Sequence, residues 1–179
     1  MKYAPSSAIQ AVLYQHPGPK YVQLMSMFNT GSNNGAHSAL VINASHRVIF
    51  DPAGDFSHSK IPERHDVLFG ANPRVLKGFF DCHARATFWA ALQYVEVSPQ
   101  SAETALRRVQ GMGPQPDAYC TRSISSVLAD LPEFRGFVRP TWFPGALHKQ
   151  MARVPGVIEQ ELREDDDPDK HTCIKGLAL

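Results

Sequence analysis

Two residue types that can carry out acyl transfer stand at favourable places in this sequence. Cys120 lies in "PDAYCTRSISSVLADLP", whose apolar spacing predicts a helix with the cysteine in its first turn. Unpaired backbone N–H groups and the helix dipole favour a thiolate there. His37 precedes the apolar run "SALVI" and could take the thiol proton and later return it to a leaving group. The pair predicts a thiol nucleophile with a histidine base.

A carboxylate that could orient the histidine follows the next apolar run, in "VIFDPAG". A carboxylate that accepts from one imidazole nitrogen fixes the tautomer and stabilises the imidazolium. Asp51 could instead bond its own backbone within the "DPAG" turn. His46, in the turn between the two runs, could take its place as the third group. The candidate catalytic residues are therefore Cys120, His37 and Asp51.

Each candidate also has a purely structural interpretation. Cysteine is among the most often buried residues, and Cys120 shares a helix face with Ile124 and Leu128, so spacing alone favours a core position. A histidine at a strand end, such as His37, is more often a structural group than a base. Pattern alone does not separate catalysis from packing.

Side chains that act together must lie on one face of the predicted hairpin. Residues 39–42 and 48–50 predict two antiparallel strands, and "NAS" between them is turn-forming. Because side chains alternate faces, a loop with an odd number of residues sets His37 opposite Asp51, whereas an even loop sends Asp51 to the other face. We predict the odd, three-residue loop.

Local patterns place the other elements. Alternation predicts strands in "AIQAVLYQH" and "YVQLMSMF", joined by a "PGP" turn, and a long strand in "TFWAALQYVEV". "SPQSAETALRRVQGM" predicts a helix with Ser98 as its cap and Pro99 at the first helical position. Asp117 is the expected cap of the helix that carries Cys120. Residues 56–85 read as a long excursion with one short helix.

Composition restricts the class of protein. The chain has 179 residues, of which 43% are hydrophobic and 20% charged, as in one globular domain; we place it at 1–160, followed by an acidic tail at 161–179 that is expected to be partly flexible. A net charge of +1 with scattered basic residues disfavours nucleic acid as a partner. No apolar run reaches the roughly 20 residues of a membrane span. We expect a soluble chain without a transmembrane segment, periplasmic or in the cell envelope if a leader was removed and otherwise cytoplasmic.

The cysteines and the remaining histidines do not form a familiar ligand motif. The cysteines are Cys82, Cys120 and Cys173. Their odd number and the lack of CxxC spacing argue against a disulfide framework and a cysteine-rich zinc site, so at least one thiol should be free. His58, His65, Cys82 and His83 could assemble a zinc site, although their spacings match no known motif. We expect no metal ion and no other cofactor.

Three short motifs, in their order along the chain, resemble a known superfamily. "GAHSALVI", then "VIFDPAG", then "AYCTRSISSVL" more than sixty residues later resembles the circularly permuted papain-like branch of the NlpC/P60 superfamily, with its YaeF-like, YiiX-like and lecithin:retinol acyltransferase-like proteins. In ordinary NlpC/P60 and papain chains the cysteine helix comes first. The resemblance covers mainly residues 35–54 and 117–131, and it implies that Cys120 is the nucleophile, His37 the base and Asp51 the orienting group.

The same resemblance implies a fold and a reaction. The fold is α+β and papain-like, with an antiparallel sheet packed on a central helix that bears the cysteine. The reaction is attack on an acyl carbonyl of a peptide or lipid substrate through a thioester, and amide hydrolysis, of a cell-envelope peptide, is the first expectation. Lipid acyl transfer or ester cleavage is the alternative, for which "PTWFPGALHKQM" is the segment that could supply an apolar patch. A non-catalytic binding module of the same fold is the other alternative.

Overall fold

The protein is an α+β structure in which a seven-stranded sheet carries helices on both faces, as seen in a computed structural model that describes residues 3–164 and 169–179. The strands are β1 (Tyr21–Asn29), β2 (Gly35–Asn43), β3 (Arg47–Phe50), β4 (Glu63–Arg64), β5 (Val67–Leu68), β6 (Phe88–Glu96) and β7 (Ile158–Leu162). The helices are α1 (Ser6–Val12), α2 (Pro73–His83), α3 (Pro99–Gly111), α4 (Cys120–Ala129), α5 (Pro144–Met151) and α6 (Lys170–Lys175), with a 3₁₀ turn at Pro132–Phe134. Within the described ranges, no helix is long and apolar enough to cross a membrane.

The strands lie in the order β4-β5-β3-β2-β1-β6-β7, and every neighbouring pair is antiparallel. Side chains of the central strands alternate between two buried faces. Leu40 and Ile42 belong to the face covered by α3, α4 and α5, which we call the α4 face. Ala39 and Val41 belong to the face covered by α2 and α6, which we call the α2 face. Both faces of the sheet are therefore core.

The hairpin of β2 and β3 has a three-residue turn, as predicted, but it lies at 44–46, one residue after the predicted "NAS". Its register lies two residues from the predicted one: Leu40 pairs with Phe50, so Asp51 falls diagonal to His37 and not opposite it. A shift of two residues preserves the face, so both side chains lie on the α2 face. The pairing of β2 with β3 ends at Leu40, which leaves the first residues of β2 open on that side.

Strands β1 and β6 and helix α3 lie where the sequence predicts them. The Ser98 side chain accepts a hydrogen bond from the amide of Ser101, and Pro99 is the first helical residue. The helix ends at Gly111, at the first glycine of "GMGP".

The prediction of a strand in "AIQAVLYQH" is wrong, because residues 6–12 form α1. Ile9, Val12 and Leu13 are spaced three and four residues apart and pack together against the core of the α4 face. This spacing places them on one side of a helix, and the apparent alternation of the segment is a consequence of the small residues between them.

The prediction that Asp117 caps α4 is also wrong. The chain turns at Ala118, which has a φ of 67°, and the helix begins only at Cys120, after Tyr119. Turn residues before a helix delay its start, and the cap preference of aspartate could not reveal this turn. Cys120 nevertheless lies in the first turn, as predicted.

Residues 56–85 form β4, β5 and α2, whose 11 residues make it longer than the one short helix predicted there. The Asn72 side chain caps α2 by accepting from the amides of Arg74 and Val75. An asparagine cap followed by proline is a strong helix start, and the glycine and charge content of the segment concealed it.

The predicted tail at 161–179 is part of the domain wherever the structure describes it, which corrects the boundary at residue 160. Strand β7 runs to Leu162 and pairs with β6, and α6 packs on α2. Residues 165–168 of this segment lie outside the described residues. A disulfide joins Cys82 to Cys173, which the argument against a disulfide framework did not foresee, and Cys120 is the free thiol that the odd number of cysteines predicted. The two cysteines lie 91 residues apart, and their pairing depends on tertiary contacts that spacing does not reveal.

Candidate active site

Cys120 is the first residue of α4 and the free cysteine of the chain. Among the described residues no side chain caps this helix, so its first amides and its dipole favour negative charge on the sulfur. The residue is 8% exposed and borders Tyr119, which is 39% exposed. Cys120 thus lies at the rim of the core. It is packed as a core cysteine would be, and it also lies next to the protein surface, as a nucleophile must.

His37 and Asp51 form the predicted contact. The Nε2–H group of His37 donates to Oδ1 of Asp51 over 2.6 Å, with the carboxylate buried and the imidazole largely so. The "DPAG" turn is made by the backbone, where the amide of Gly54 donates to the carbonyl of Asp51 over 3.0 Å. The Asp51 side chain therefore orients the histidine, and the turn does not compete for it.

Gly54 is required by the position of the Asp51 carboxylate. A Cβ atom built on Gly54 would overlap the carboxylate atoms of Asp51. The glycine of "DPAG" thus leaves the space that the carboxylate occupies beneath His37. The sequence pattern contained this residue but suggested only a turn.

The thiol of Cys120 interacts with His37 at the open start of β2. Burial raises the pKa of the thiol, but a hydrogen bond with His37, the charge of that imidazole and the amide of Ser38 together lower the pKa to about 7. The hydroxyls of Ser38 and Thr121 share a hydrogen bond of 3.0 Å, which ties β2 to the first turn of α4. Since Nε2 of His37 is bonded to Asp51, Nδ1 is the ring nitrogen that remains to serve the thiol.

The imidazole of His37 is held in its charged form. Burial lowers its pKa, but the adjacent Asp51 carboxylate and the Cys120 thiolate outweigh burial and raise the pKa to about 9. For Asp51, burial raises the pKa and the His37 imidazolium more than offsets it, so the pKa of the carboxyl is lowered overall. At a pH between the pKa of Cys120 and the pKa of His37, the site therefore holds a thiolate beside an imidazolium.

His83, which the sequence placed among the candidate zinc ligands, lies directly behind His37. Its buried ring stacks on that of His37 with centroids 6.1 Å apart and planes 13° apart. Its Nδ1–H group donates to the carbonyl of Phe79 over 2.7 Å. Burial lowers the pKa of His83 to about 4, so the ring is neutral. Only the fold brings it here, since it lies on α2 far from either motif.

Helix α6 adds a cation near the site. Lys170 forms an ion pair with Asp55, and its charge also helps to keep the pKa of Asp51 low. The disulfide of the same helix to α2 holds this segment in place. The acidic composition of the tail gave no sign of this contribution.

Apart from His83, the alternative groups named here are engaged elsewhere. His46 remains in the hairpin turn, where it accepts from the side chain of Gln110. Cys82 is oxidised to the disulfide and cannot ligate zinc. His65 packs on Tyr3.

A groove lies at the start of β2, the strand that carries His37, and an exposed aromatic surface lies beside Tyr119, the residue before Cys120. The groove, of about 440 Å³, runs between residues 33–35, just before His37 on β2, and the first turn of α5. Trp142 is 47% exposed and Phe143 is 70% exposed, and Trp142 contacts Tyr119 edge-on at 4.7 Å. The polar stretch before His37, which could have been only a loop, therefore lines a cleft.

Comparison with known proteins gives this chain no family. Family models, curated proteins and solved structures all lack a significant match to it. The functional proposal is based on the site itself.

Proposed function

We propose that the protein is a cysteine-dependent hydrolase or acyltransferase with Cys120 as nucleophile, His37 as base and Asp51 as the orienting group. The observation that carries the proposal is the position of His37, which donates from Nε2 to Asp51 over 2.6 Å and engages the Cys120 thiol on its other side. A nucleophile, a base and a group that orients the base form the arrangement that covalent acyl transfer requires.

The reaction follows from the charges of the resting site. The thiolate of Cys120 attacks the acyl carbonyl, and the resulting oxyanion forms beside the amides at the start of α4. The imidazolium of His37 gives its Nδ1 proton to the leaving amine or alcohol, and a thioester remains on the sulfur. Neutral His37 then takes a proton from water or another acceptor, which attacks the thioester and releases the thiolate, so the resting ion pair is restored. Asp51 stabilises the imidazolium whenever it forms.

The arrangement supports a circularly permuted papain-like fold as a further part of the proposal. The strand with His37 precedes the helix with Cys120 along the chain, and α4 packs against β2 within an antiparallel sheet. This order is the one that the sequence motifs suggest. The Cys82–Cys173 disulfide is typical of an oxidising compartment, which supports a periplasmic or cell-envelope location.

Amide hydrolysis is the first candidate reaction, and the groove beside His37 supports it. The groove is lined by Asn33 and Asn34 on one wall and by the first turn of α5 on the other. Asparagine side chains offer both donors and acceptors, as the backbone of a bound peptide requires.

Cleavage or transfer of a lipid acyl group is the second candidate, and the exposed aromatic surface favours it. Trp142 and Phe143 belong to the one segment from which the sequence could supply such a patch, and Tyr119 connects them to the nucleophile. Large exposed aromatic side chains next to a site suit an apolar substrate or a lipid surface.

The proposal is tested by trapping the acyl-enzyme. The protein is mixed with short peptide p-nitroanilides and with fatty acyl p-nitrophenyl esters of increasing chain length, quenched in acid and measured by intact mass. We expect an acyl adduct that maps to Cys120 and is absent from Cys120→Ala. Preferred labelling by the peptides supports amide hydrolysis, and labelling that rises with acyl chain length supports the lipid reaction. No adduct with any substrate of either series would support the non-catalytic binding module.

A further inference from the structure

The cluster behind the catalytic cysteine carries an inference beyond acyl transfer. His37, Asp51 and His83 each present one ligand atom, and these three atoms lie within 4.8 Å of one another. We propose that this cluster is a binding site for a divalent transition metal, best matched by Zn²⁺, and that its occupation inactivates His37. Metal binding itself does not depend on the proposed catalysis.

His83 is the residue that points to a ligand. It is fully buried, and its Nε2 atom has no hydrogen-bond partner among the described residues. Because Nδ1 donates to the Phe79 carbonyl, Nε2 carries the lone pair. A histidine that ligates a metal usually donates its other N–H to a carbonyl or a carboxylate in this way, which fixes the tautomer. His83 therefore has the form of a ligand already in place.

The donor set selects the metal. Two imidazole nitrogens and one carboxylate oxygen form a set typical of Zn²⁺, which binds such atoms at about 2.0–2.2 Å. Tetrahedral ligand atoms then lie about 3.3 Å apart. The His37–Asp51 contact of 2.6 Å must widen slightly, and the separations to His83, which are no longer than 4.8 Å, need to shorten by at most about 1.5 Å.

Occupation would act on the side of His37 that faces away from the thiol. The metal takes Nε2 of His37 together with the Asp51 carboxylate, and the proton shared between them leaves to solvent. Asp51 then no longer supports a change of charge on the imidazole, and Nδ1 cannot release and regain a proton during acyl transfer. The sulfur of Cys120 is not part of the ligand set.

The test reads metal binding directly and not activity. The disulfide-intact protein, in a buffer free of thiols and chelators, is titrated with Co²⁺ alone as a visible probe, and Zn²⁺ is then added. We expect one Co²⁺ per chain with the visible bands of tetrahedral nitrogen and oxygen ligands, no thiolate charge-transfer band, displacement by Zn²⁺ and an unchanged spectrum in Cys120→Ala. His83→Phe should weaken binding at least about tenfold, the minimum effect expected for loss of a direct ligand.

A matched control is His171→Phe, which makes the same change at an exposed histidine and should leave binding unchanged. X-ray absorption on the zinc-loaded protein supplies a reading that needs no substitution at a buried site, with two imidazoles and no sulfur expected. Sulfur in the ligand shell, a thiolate band that disappears in Cys120→Ala, equal binding by folded His83→Phe, or no binding at millimolar metal would each overturn the proposal. A failed metal titration leaves acyl-enzyme formation at Cys120 unaffected, so the two proposals fail separately.

Discussion

The two faces of the sheet contribute to the candidate site in different ways. The α4 face is a largely aliphatic core, and it supplies Cys120 from the start of one helix. The α2 face supplies His37 and Asp51 and places His83 behind them. The α2 face is also closed by a disulfide between residues 91 apart, whereas the α4 face has no such link among the described residues. The proposed nucleophile thus depends on local structure, and the proposed base depends on long-range contacts.

Removing the disulfide should cause the largest loss of stability among these changes. The loss should come from the α2 face, which the disulfide closes. Closing a loop of 91 residues is expected to stabilise the fold by about 4.5 kcal/mol. The double variant Cys82→Ala/Cys173→Ala, measured by urea unfolding, should lose about this free energy of unfolding, and wild type with reductant should lose a similar amount. Cys120→Ala is the control and should respond to reductant as wild type does. Equal stability of the oxidised and reduced proteins would show that α6 is not held by this bond.

A cavity on the α4 face should lower the free energy of unfolding somewhat less than loss of the disulfide does. This decrease should be the same in oxidised and reduced protein. Ile124 is fully buried on α4, one turn after Cys120. We expect Ile124→Ala to lower the free energy of unfolding by about 3 kcal/mol in both oxidised and reduced protein. Because the two changes lie on opposite faces, their effects should add. Strong non-additivity in urea unfolding of the combined variant would contradict the separation of the faces.

The same contrast explains how much of the structure the sequence could predict. Local alternation, caps and turn residues predict β1, β6, α3 and the three-residue length of the hairpin turn, and these predictions are confirmed, although the turn lies one residue later than predicted. The start of α4 near Cys120 is local as well, apart from the turn at Ala118 that displaces the cap.

The contributions of the α2 face could not be predicted in the same way. His83 and Lys170 reach the site only because α2 and α6 pack under the sheet, and no local pattern records this packing. The contact between His37 and Asp51 was expected from strand parity, although the register differs by two residues. Parity survives such a shift, so a prediction of faces is more robust than a prediction of pairs.

The connection between the two faces is the interaction of His37, held by Asp51, with the Cys120 thiol. It is tested by replacing the Asp51 carboxylate with an amide. The Asp51 carboxylate raises the pKa of His37, so Asp51→Asn should lower the pKa of the imidazole, remove its charge at neutral pH and raise the pKa of the Cys120 thiol. From a wild-type pKa of about 7, a rise of one unit lowers the thiolate fraction of Cys120 at pH 7 from about one half to about one tenth, so iodoacetamide labelling slows about fivefold. An unchanged rate of labelling would show that Asp51 does not affect the pKa of the Cys120 thiol.

Gly54→Ala tests the same link without removing a charge. The added Cβ displaces the Asp51 carboxylate from beneath His37, so labelling of Cys120 should slow in the same direction as in Asp51→Asn. Gly111→Ala is the matched control, because nothing lies within 4 Å of a Cβ at that position. If both glycine variants label at the wild-type rate, the carboxylate does not need that space.

The smallest effect is expected at the exposed aromatic surface of the α4 side. Trp142 is half exposed and contacts Tyr119 at its edge, so Trp142→Ala should change the free energy of unfolding by no more than about 0.5 kcal/mol. The same variant should reduce acylation by long fatty acyl esters more than acylation by peptide anilides if the surface binds the acyl chain. A large loss of stability in urea would instead make Trp142 part of the core.

The most direct test of the account is the pH profile of Cys120 alkylation in the oxidised protein, in which the other two cysteines are protected by their disulfide. The thiolate is the reactive form, so a lowered pKa moves the rise in rate to lower pH. An unperturbed thiol has a pKa of about 8.5. We predict a rate that reaches half its plateau where the pKa of Cys120 lies, at about 7, and a shift of that midpoint to higher pH in His37→Ala, where the imidazolium is gone. A midpoint at the value of an unperturbed thiol in the wild type, or the same midpoint in both proteins, would contradict the claim that His37 activates Cys120.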